Sequence, residues 1–179
     1  THIPGIEDWN LEGAFNTAFM KDRVSMCKEL LRRFPEQDFA KNIVWSRLLH
    51  RACLDVLPTV CNWILTEHHV AGQRSCNCCC QRAFTISCGN GRLDIVQNIF
   101  QLCAEHISES VRQQAFIRTC ENGHLQVAQW LLKHAGVRAD YDNSAAYRVA
   151  KQAEYTEVMQ WLEDLVEPMH LRNRIKKLL

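Results

Sequence analysis

An internal repeat constrains the fold of this chain more than any other feature. Residues 83–96 and 115–128 share an Ala-Phe pair, a Cys shortly after it, an Asn-Gly pair and then a Leu followed by aliphatic residues. Three further copies align with these two. The five copies start at Gly13, Arg47, Arg82, Gln114 and Ala145, which are 34, 35, 32 and 31 residues apart. Because one unit of this length cannot bury its apolar face alone, we predict an array of stacked units.

Matched positions within the copies predict two helices per unit. A large side chain lies two residues after each start and a small one lies five residues after it: Phe15, Leu49, Phe84, Phe116 and Tyr147, then Ala18, Ala52, Ser87, Thr119 and Ala150. Two later positions are also apolar: Met26, Val60, Ile95, Val127 and Val158, then Leu30, Ile64, Ile99, Leu131 and Leu162. Apolar residues at three- and four-residue steps are typical of helices, and Gly91 and Gly123 indicate tight turns between them. We assign Trp63, Trp130 and Trp161 to the core between units rather than to a binding stripe.

The sequence of each unit resembles the ankyrin repeat. Residues 123–132 (Gly-His-Leu-Gln-Val-Ala-Gln-Trp-Leu-Leu) give the best match, residues 91–96 follow, and the connector 135–142 is similar to the family's finger. The resemblance covers residues 13–165, and the Trp-rich copies resemble ankyrin repeats of intracellular bacteria, large DNA viruses and protists. The family's Thr-Pro pair is absent, and Asp22, Val56 and Glu154 replace the turn glycine. The tetratricopeptide pattern, which has a similar period, does not recur.

The resemblance implies an all-α, ankyrin-repeat solenoid of about five helix-turn-helix units. We expect residues 1–12 to lead into the array, residues 13–165 to form it and residues 166–179 to cap it. In the last segment, basic side chains lie opposite leucines, so a helix docked on an anionic membrane is an alternative to capping. A connection to a further domain is a second alternative.

The family also implies a binding face made of the fingers and the first helix of each unit. The positions just before the starts are Glu12, Ser46, Gln81, Gln113 and Ser144. The positions just before the turns are Met20 and Lys21, Leu54 and Asp55, Gly89 and Asn90, Glu121 and Asn122, and Gln152 and Ala153. We expect residues of the third, fourth and fifth repeats to contribute most of the binding energy. The candidate partner-binding residues are Gln81, Asn90, Gln113, Glu121, Asn122, Tyr141 and Gln152, with Tyr141 as a fingertip anchor.

Composition narrows the possible functions. The chain has 21 Lys and Arg against 20 Asp and Glu, a formal charge of +1, which disfavours a specific nucleic-acid binder. No apolar run approaches the ~20 residues of a membrane span. Motifs of serine hydrolases, phosphate-binding loops and zinc proteases are absent from the sequence. We therefore expect a monomeric binding module that has no catalytic activity and no cofactor.

Ten cysteines raise the question of compartment and of metal. We expect Cys27, Cys53, Cys61, Cys88, Cys103 and Cys120 to be small buried apolar residues in a reduced intracellular, cytoplasmic protein, in the host cytoplasm if the chain is an effector or a viral protein. Four more cysteines crowd into residues 76–80, with two histidines upstream. The weak zinc candidates are Cys76, Cys78, Cys79, Cys80, His68 and His69. Zinc binding, redox sensing and plain packing stay open for this cluster, with packing preferred.

The leading hypothesis is therefore a scaffold or adaptor that binds another protein, whether in a host-directed effector, a viral protein or the targeting domain of a larger enzyme. The alternative is a module regulated by metal or redox state through the cysteine-rich connector.

Overall fold

The computed structural model describes residues 10–68 and 77–165. Within these ranges the regular elements are α-helices, one 3-10 helix and one π-helix, and there is no β-strand. The prediction of an all-α chain is confirmed for them. The helices are α1 (Leu11–Met20), α2 (Val24–Arg33), α3 (Asp38–Lys41), α4 (Trp45–Leu54), α5 (Pro58–Trp63), α6 (Asn77–Gly89), α7 (Leu93–Cys103), α8 (Glu109–Glu121), α9 (Leu125–His134), α10 (Tyr141–Gln152) and α11 (residues 156–165). A π-helical turn (Ile64–His68) follows α5, and a 3-10 turn (Ala104–His106) follows α7.

The chain divides into two compact units, Thr1–Ser75 (unit 1) and Cys76–Leu179 (unit 2). In the described part of unit 1, α1 pairs with α2 and α4 pairs with α5. In the described part of unit 2, α6 pairs with α7, and α8 pairs with α9. The last two helices, α10 and α11, follow as the first and second helix of the fifth repeat. The proposed capping segment, residues 166–179, lies outside the described residues.

One residue at the turn between the two helices of each pair has a left-handed backbone. These residues are Asp22 (φ 55°), Val56 (φ 57°), Gly91 (φ 70°), Gly123 (φ 76°) and Glu154 (φ 62°). At every turn the next N–H donates to the carbonyl of the small residue near the end of the first helix: Arg23 to Ala18 (2.9 Å), Leu57 to Ala52 (2.9 Å), Arg92 to Ser87 (3.0 Å), His124 to Thr119 (3.0 Å) and Tyr155 to Ala150 (3.0 Å). This is the hydrogen bond of a Schellman helix end. The three turns that lack glycine therefore have the same geometry as the two that contain it.

Asp22 compensates for the missing glycine at its turn. Its carboxylate accepts hydrogen bonds from the backbone N–H groups of Thr59 (3.1 Å) and Val60 (2.8 Å) in the first turn of α5. Those donors have no partner within their own helix, and Pro58 at its start has no N–H to offer. The side chain at the first turn of unit 1 thus caps a helix of the second pair.

Burial follows the matched positions, with exceptions at both ends. All five small residues are buried, and so are Phe15, Leu49, Phe84 and Phe116, whereas Tyr147 is half-buried and donates its hydroxyl hydrogen to Glu163 (2.6 Å). Met26, at a matched apolar position, is instead 50% exposed, and Leu30 is only half-buried. Both line an open cleft of about 530 Å³ beside α1. No helix pair precedes α1 and α2 among the described residues, so nothing there covers these side chains.

The first helices pack differently in the two units. In unit 2, α8 packs directly against both α6 and α10. Small side chains allow this approach, and Thr119 Oγ1 donates to the carbonyl of Ala115 (2.7 Å) while lying 3.4 Å from that of Cys88 on α6. In unit 1 the two pairs meet instead through α2 and α5, and α1 and α4 approach each other less closely.

Replacing Val56 with glycine is expected to raise the free energy of unfolding by about 0.5–1 kcal/mol. A left-handed backbone costs a residue with a Cβ about 1–2 kcal/mol, and the greater freedom of glycine in the unfolded chain offsets part of that gain. Urea unfolding measures the difference. Gly123→Ala is the matched control at the same turn position, and it should destabilise, because a Cβ there would lie 2.4 Å from Tyr155 Cδ1. A loss of stability in Val56→Gly would contradict the left-handed turn at Val56.

Candidate protein-binding surface

Gln113 and Gln81 hold the connectors of unit 2. Gln113 is only 3% exposed. Its Nε2 donates to the carbonyl of Arg138 (2.7 Å), and its Oε1 accepts from the N–H of the same residue (2.9 Å). Gln81, at the equivalent position of the preceding pair, donates from Nε2 to the carbonyl of His106 (3.0 Å). The expectation that Gln113 binds a partner is corrected, since the residue is buried and both ends of its amide bond the backbone of Arg138.

Asn122 also has a structural role. Its Nδ2 donates to the carbonyl of Gly89 (2.6 Å), and the ring Nε2 of His124 lies 3.0 Å from the same oxygen. These contacts tie the end of α6 to the turn after α8, so one face of Asn122 is already occupied. Asn90, at the equivalent position one pair earlier, is exposed.

Three candidates in unit 2 lie at the surface with large exposed areas. Glu121 and Gln152 are exposed in the last turns of α8 and α10. Tyr141 is 45% exposed, but it begins α10 and does not sit on a fingertip. The connector before it contains Ala135, Val137 and Ala139 as buried residues, and it forms no hairpin. An aromatic side chain at the first turn of a helix is still available to a partner.

The cysteine-rich connector is described only in part. Cys76 and His69 lie outside the described residues, and the side chains of Cys78, Cys79 and His68 are outside them as well. Cys80 is fully buried in α6, where it forms part of the core. Within residues 10–68 and 77–165, no group of three or more His, Cys, Asp or Glu side chains is arranged to hold a metal ion.

The six other cysteines confirm the prediction of buried apolar residues. Cys27, Cys53, Cys61, Cys88, Cys103 and Cys120 are all buried. Burial raises the pKa of the Cys27 thiol to about 11 and that of Cys120 to about 12, and it raises the pKa of Cys88 as well. The pKa of Cys103 is raised first by its hydrogen bond with Cys80 and then by burial. These thiols are poor nucleophiles at neutral pH.

The tryptophans pack against aromatic rings. Trp130 of α9 meets Phe100 of α7 edge-on with ring centroids 5.4 Å apart, and Trp161 of α11 meets Phe116 of α8 at 6.3 Å. Both contacts join neighbouring helix pairs. In unit 1, Trp63 is buried against Trp45 (5.5 Å) and donates its indole N–H to Glu67 (3.0 Å). Trp130 and Trp161 thus make the expected contacts between pairs but are only half-buried, whereas Trp63 is buried and its ring contact lies within one pair.

A groove in unit 1 that the sequence analysis did not identify lies between α1, α3 and the start of α4. Its volume is about 370 Å³. The rings of Phe15 and Phe39 meet at its floor with centroids 5.7 Å apart, and Ile43 and Leu48 line it beside them. Two of these residues, Phe39 and Ile43, come from the connector 34–44, which lies outside the matched positions of the repeat. The apolar residues of that connector were the signal that could have indicated the groove.

Three charged side chains line the groove. They are Glu12, Asp38 and Arg47, and all three are exposed. Within the part of the chain that the structure describes, none of the three is in an ion pair. The groove therefore combines an apolar floor with charges that are open to a ligand.

Among the described residues, no helix is both long and apolar enough to cross a bilayer. A scan against protein-family models finds no match, and a search of curated proteins finds no similar sequence. The function proposed below therefore depends on the residues and geometry of this chain alone.

Gln113→Ala is expected to lower the free energy of unfolding by about 1–3 kcal/mol, because it leaves the backbone N–H and C=O of Arg138 without their buried partner. Urea unfolding gives the loss, and faster hydrogen exchange at the Arg138 amide locates it. The exposed Gln152→Ala should change stability by less than about 0.5 kcal/mol. Equal effects of the two substitutions would show that the Gln113 amide does not hold the connector.

Cys27 is expected to resist alkylation by iodoacetamide in the folded protein at pH 8. A rise of its thiol pKa from 9.0 to about 11 reduces the thiolate fraction roughly a hundredfold, and burial blocks access in addition. Mass spectrometry of peptides after timed labelling measures the rate, with the urea-unfolded chain as control. Labelling of Cys27 at the same rate in both states would contradict its burial.

Proposed function

We propose that this chain is a non-catalytic protein-interaction module built from ankyrin-like helix pairs. One observation carries the proposal. The position two residues before each left-handed turn is Met20, Leu54, Gly89, Glu121 or Gln152, and all of these except Gly89 are exposed. The same backbone turn thus presents apolar, acidic and amide side chains in different pairs. A constant scaffold that carries varied exposed side chains suits recognition of another macromolecule.

The exposed ends of the first helices in unit 2 are the proposed contact surface there. Among the described residues, no hydrogen bond joins Glu121, Gln152 or Tyr141 to a connector, unlike Gln81 and Gln113. Glu121 and Gln152 end α8 and α10, whereas Tyr141 begins α10. An aromatic residue such as Tyr141 supplies a large contact area at low entropic cost. Asn90 and Asn122 border this surface.

The buried thiols support a reducing compartment. Cys53 and Cys61 are buried in unit 1 with their Sγ atoms 3.8 Å apart, and both serve as packing residues of α4 and α5. Buried cysteines that serve as apolar core residues are typical of proteins kept under reducing conditions. We therefore place the module inside the cell.

A charge reversal at Glu121 is expected to weaken partner binding at least tenfold without changing the melting temperature. The partner is first isolated by pull-down with the full chain and identified by mass spectrometry, and its affinity is then measured with purified proteins. Gln129→Arg is the matched control, because Gln129 is exposed on α9, a second helix. If Gln129→Arg abolishes binding and Glu121→Arg leaves it intact, the proposed surface is wrong.

A further inference from the structure

The groove of unit 1 has the volume of a side-chain pocket. Its volume of about 370 Å³ is near the lower end of the 300–1,000 Å³ that is usual for ligand sites, so it suits one or two side chains of a polypeptide. Phe15 is buried beneath it, Phe39, Ile43 and Leu48 are half-buried, and Val44 at its edge is exposed. An apolar side chain that enters would remove these surfaces from water.

The charges of the lining select the ligand further. Glu12 and Asp38 supply two carboxylates, and Arg47 supplies one guanidinium. Arg47 can neutralise the charge of only one of these carboxylates, so the lining supplies no positive charge for the other. A Lys or Arg of the ligand would provide it, and such a pair would favour encounter and register with a basic segment. The same carboxylates would repel the phosphates of nucleic acid.

The loose packing of the first helices in unit 1 explains why the groove is open. In unit 2 the helices at the equivalent positions, α6, α8 and α10, pack side by side. In unit 1 the contact between pairs is made by α2 and α5, and α3 with Phe39 lies beside Phe15 where α1 and α4 leave room. The groove is therefore a consequence of how this unit is packed.

The exposed surface continues from the groove along the same helices. Glu12, Asn16 and Met20 are four residues apart, so they lie on one face of α1. Met20 is 42% exposed, and Leu54 at the matched position of α4 is 50% exposed. These two side chains offer apolar contact to a ligand that extends beyond the groove.

We propose that this groove binds a segment of a partner protein in which an apolar side chain lies next to Lys or Arg. This inference rests on the proposed function and assigns it a first site and a partner chemistry. The apolar side chain enters between Phe39 and Leu48, and the basic side chain pairs with Glu12 and Asp38.

The test uses a phage-displayed library of random 12-residue peptides selected on the full immobilised chain. We expect enriched peptides that share an apolar residue adjacent to Lys or Arg. The synthetic consensus peptide should bind at least tenfold more weakly to the Glu12→Lys, Asp38→Lys double variant. A peptide with its basic residue changed to Glu should fail to bind the natural chain and should bind that double variant.

The matched control is the Glu157→Lys, Asp164→Lys double variant, which has the same charge change at exposed positions of unit 2. It should bind the consensus peptide with unchanged affinity. Thermal melting of both double variants confirms that each is folded, and Val44→Asp tests the apolar contact with a single exposed substitution.

Four results would overturn the inference. No enrichment, or enrichment of peptides without a basic residue, rules out the assigned chemistry. Loss of binding only in the unit 2 double variant moves the site away from the groove and leaves the proposed function standing. Self-association of the chain that Val44→Asp abolishes, measured by light scattering, would make a second copy the occupant of the groove.

Discussion

The hydrogen bond that closes each helix-helix turn is the interaction on which the described structure depends. Its acceptor is always the carbonyl of the small residue near the end of the first helix, and its donor is the N–H just after the left-handed residue. The bond reverses the chain within a few residues and fixes where the second helix begins. Since the acceptor residue is also small and buried, the same position permits close packing of helices.

The left-handed residue can be supplied by more than one side chain, at different costs. Glycine adopts this backbone freely, and at Gly91 and Gly123 it also leaves room for His124 and Tyr155, whose rings lie where a Cβ would be. Asp22 is a type of residue that tolerates the conformation, and it gains two hydrogen bonds to α5. Among the described contacts, none compensates Val56 in this way. The turn between α4 and α5 therefore stores strain that neighbouring contacts must offset.

Glutamine side chains organise the connectors of unit 2 in place of strand hydrogen bonds. Gln81 and Gln113 reach the backbone of the connector that follows their own helix pair, and Gln113 satisfies both polar groups of Arg138. A buried amide engaged in this way is costly to remove. The surface proposed for recognition is therefore smaller than the set of polar residues at equivalent positions, and in unit 1 a groove opens where α1 and α4 pack less closely.

The sequence by itself determined the paired helices, the position of each turn between them and most of the core, but it did not predict α3. Three- and four-residue spacing of apolar side chains located the helix pairs, and the alignment of Asp22, Val56 and Glu154 with glycine marked the left-handed residues, because those properties are local. Burial of the cysteines followed from the same periodicity. Tertiary structure alone decided that Gln113 is buried, that Met26 is exposed and that Phe39 lies against Phe15. Each of these depends on whether another segment of the chain packs against the residue. The spacing of residues within one repeat does not determine that contact.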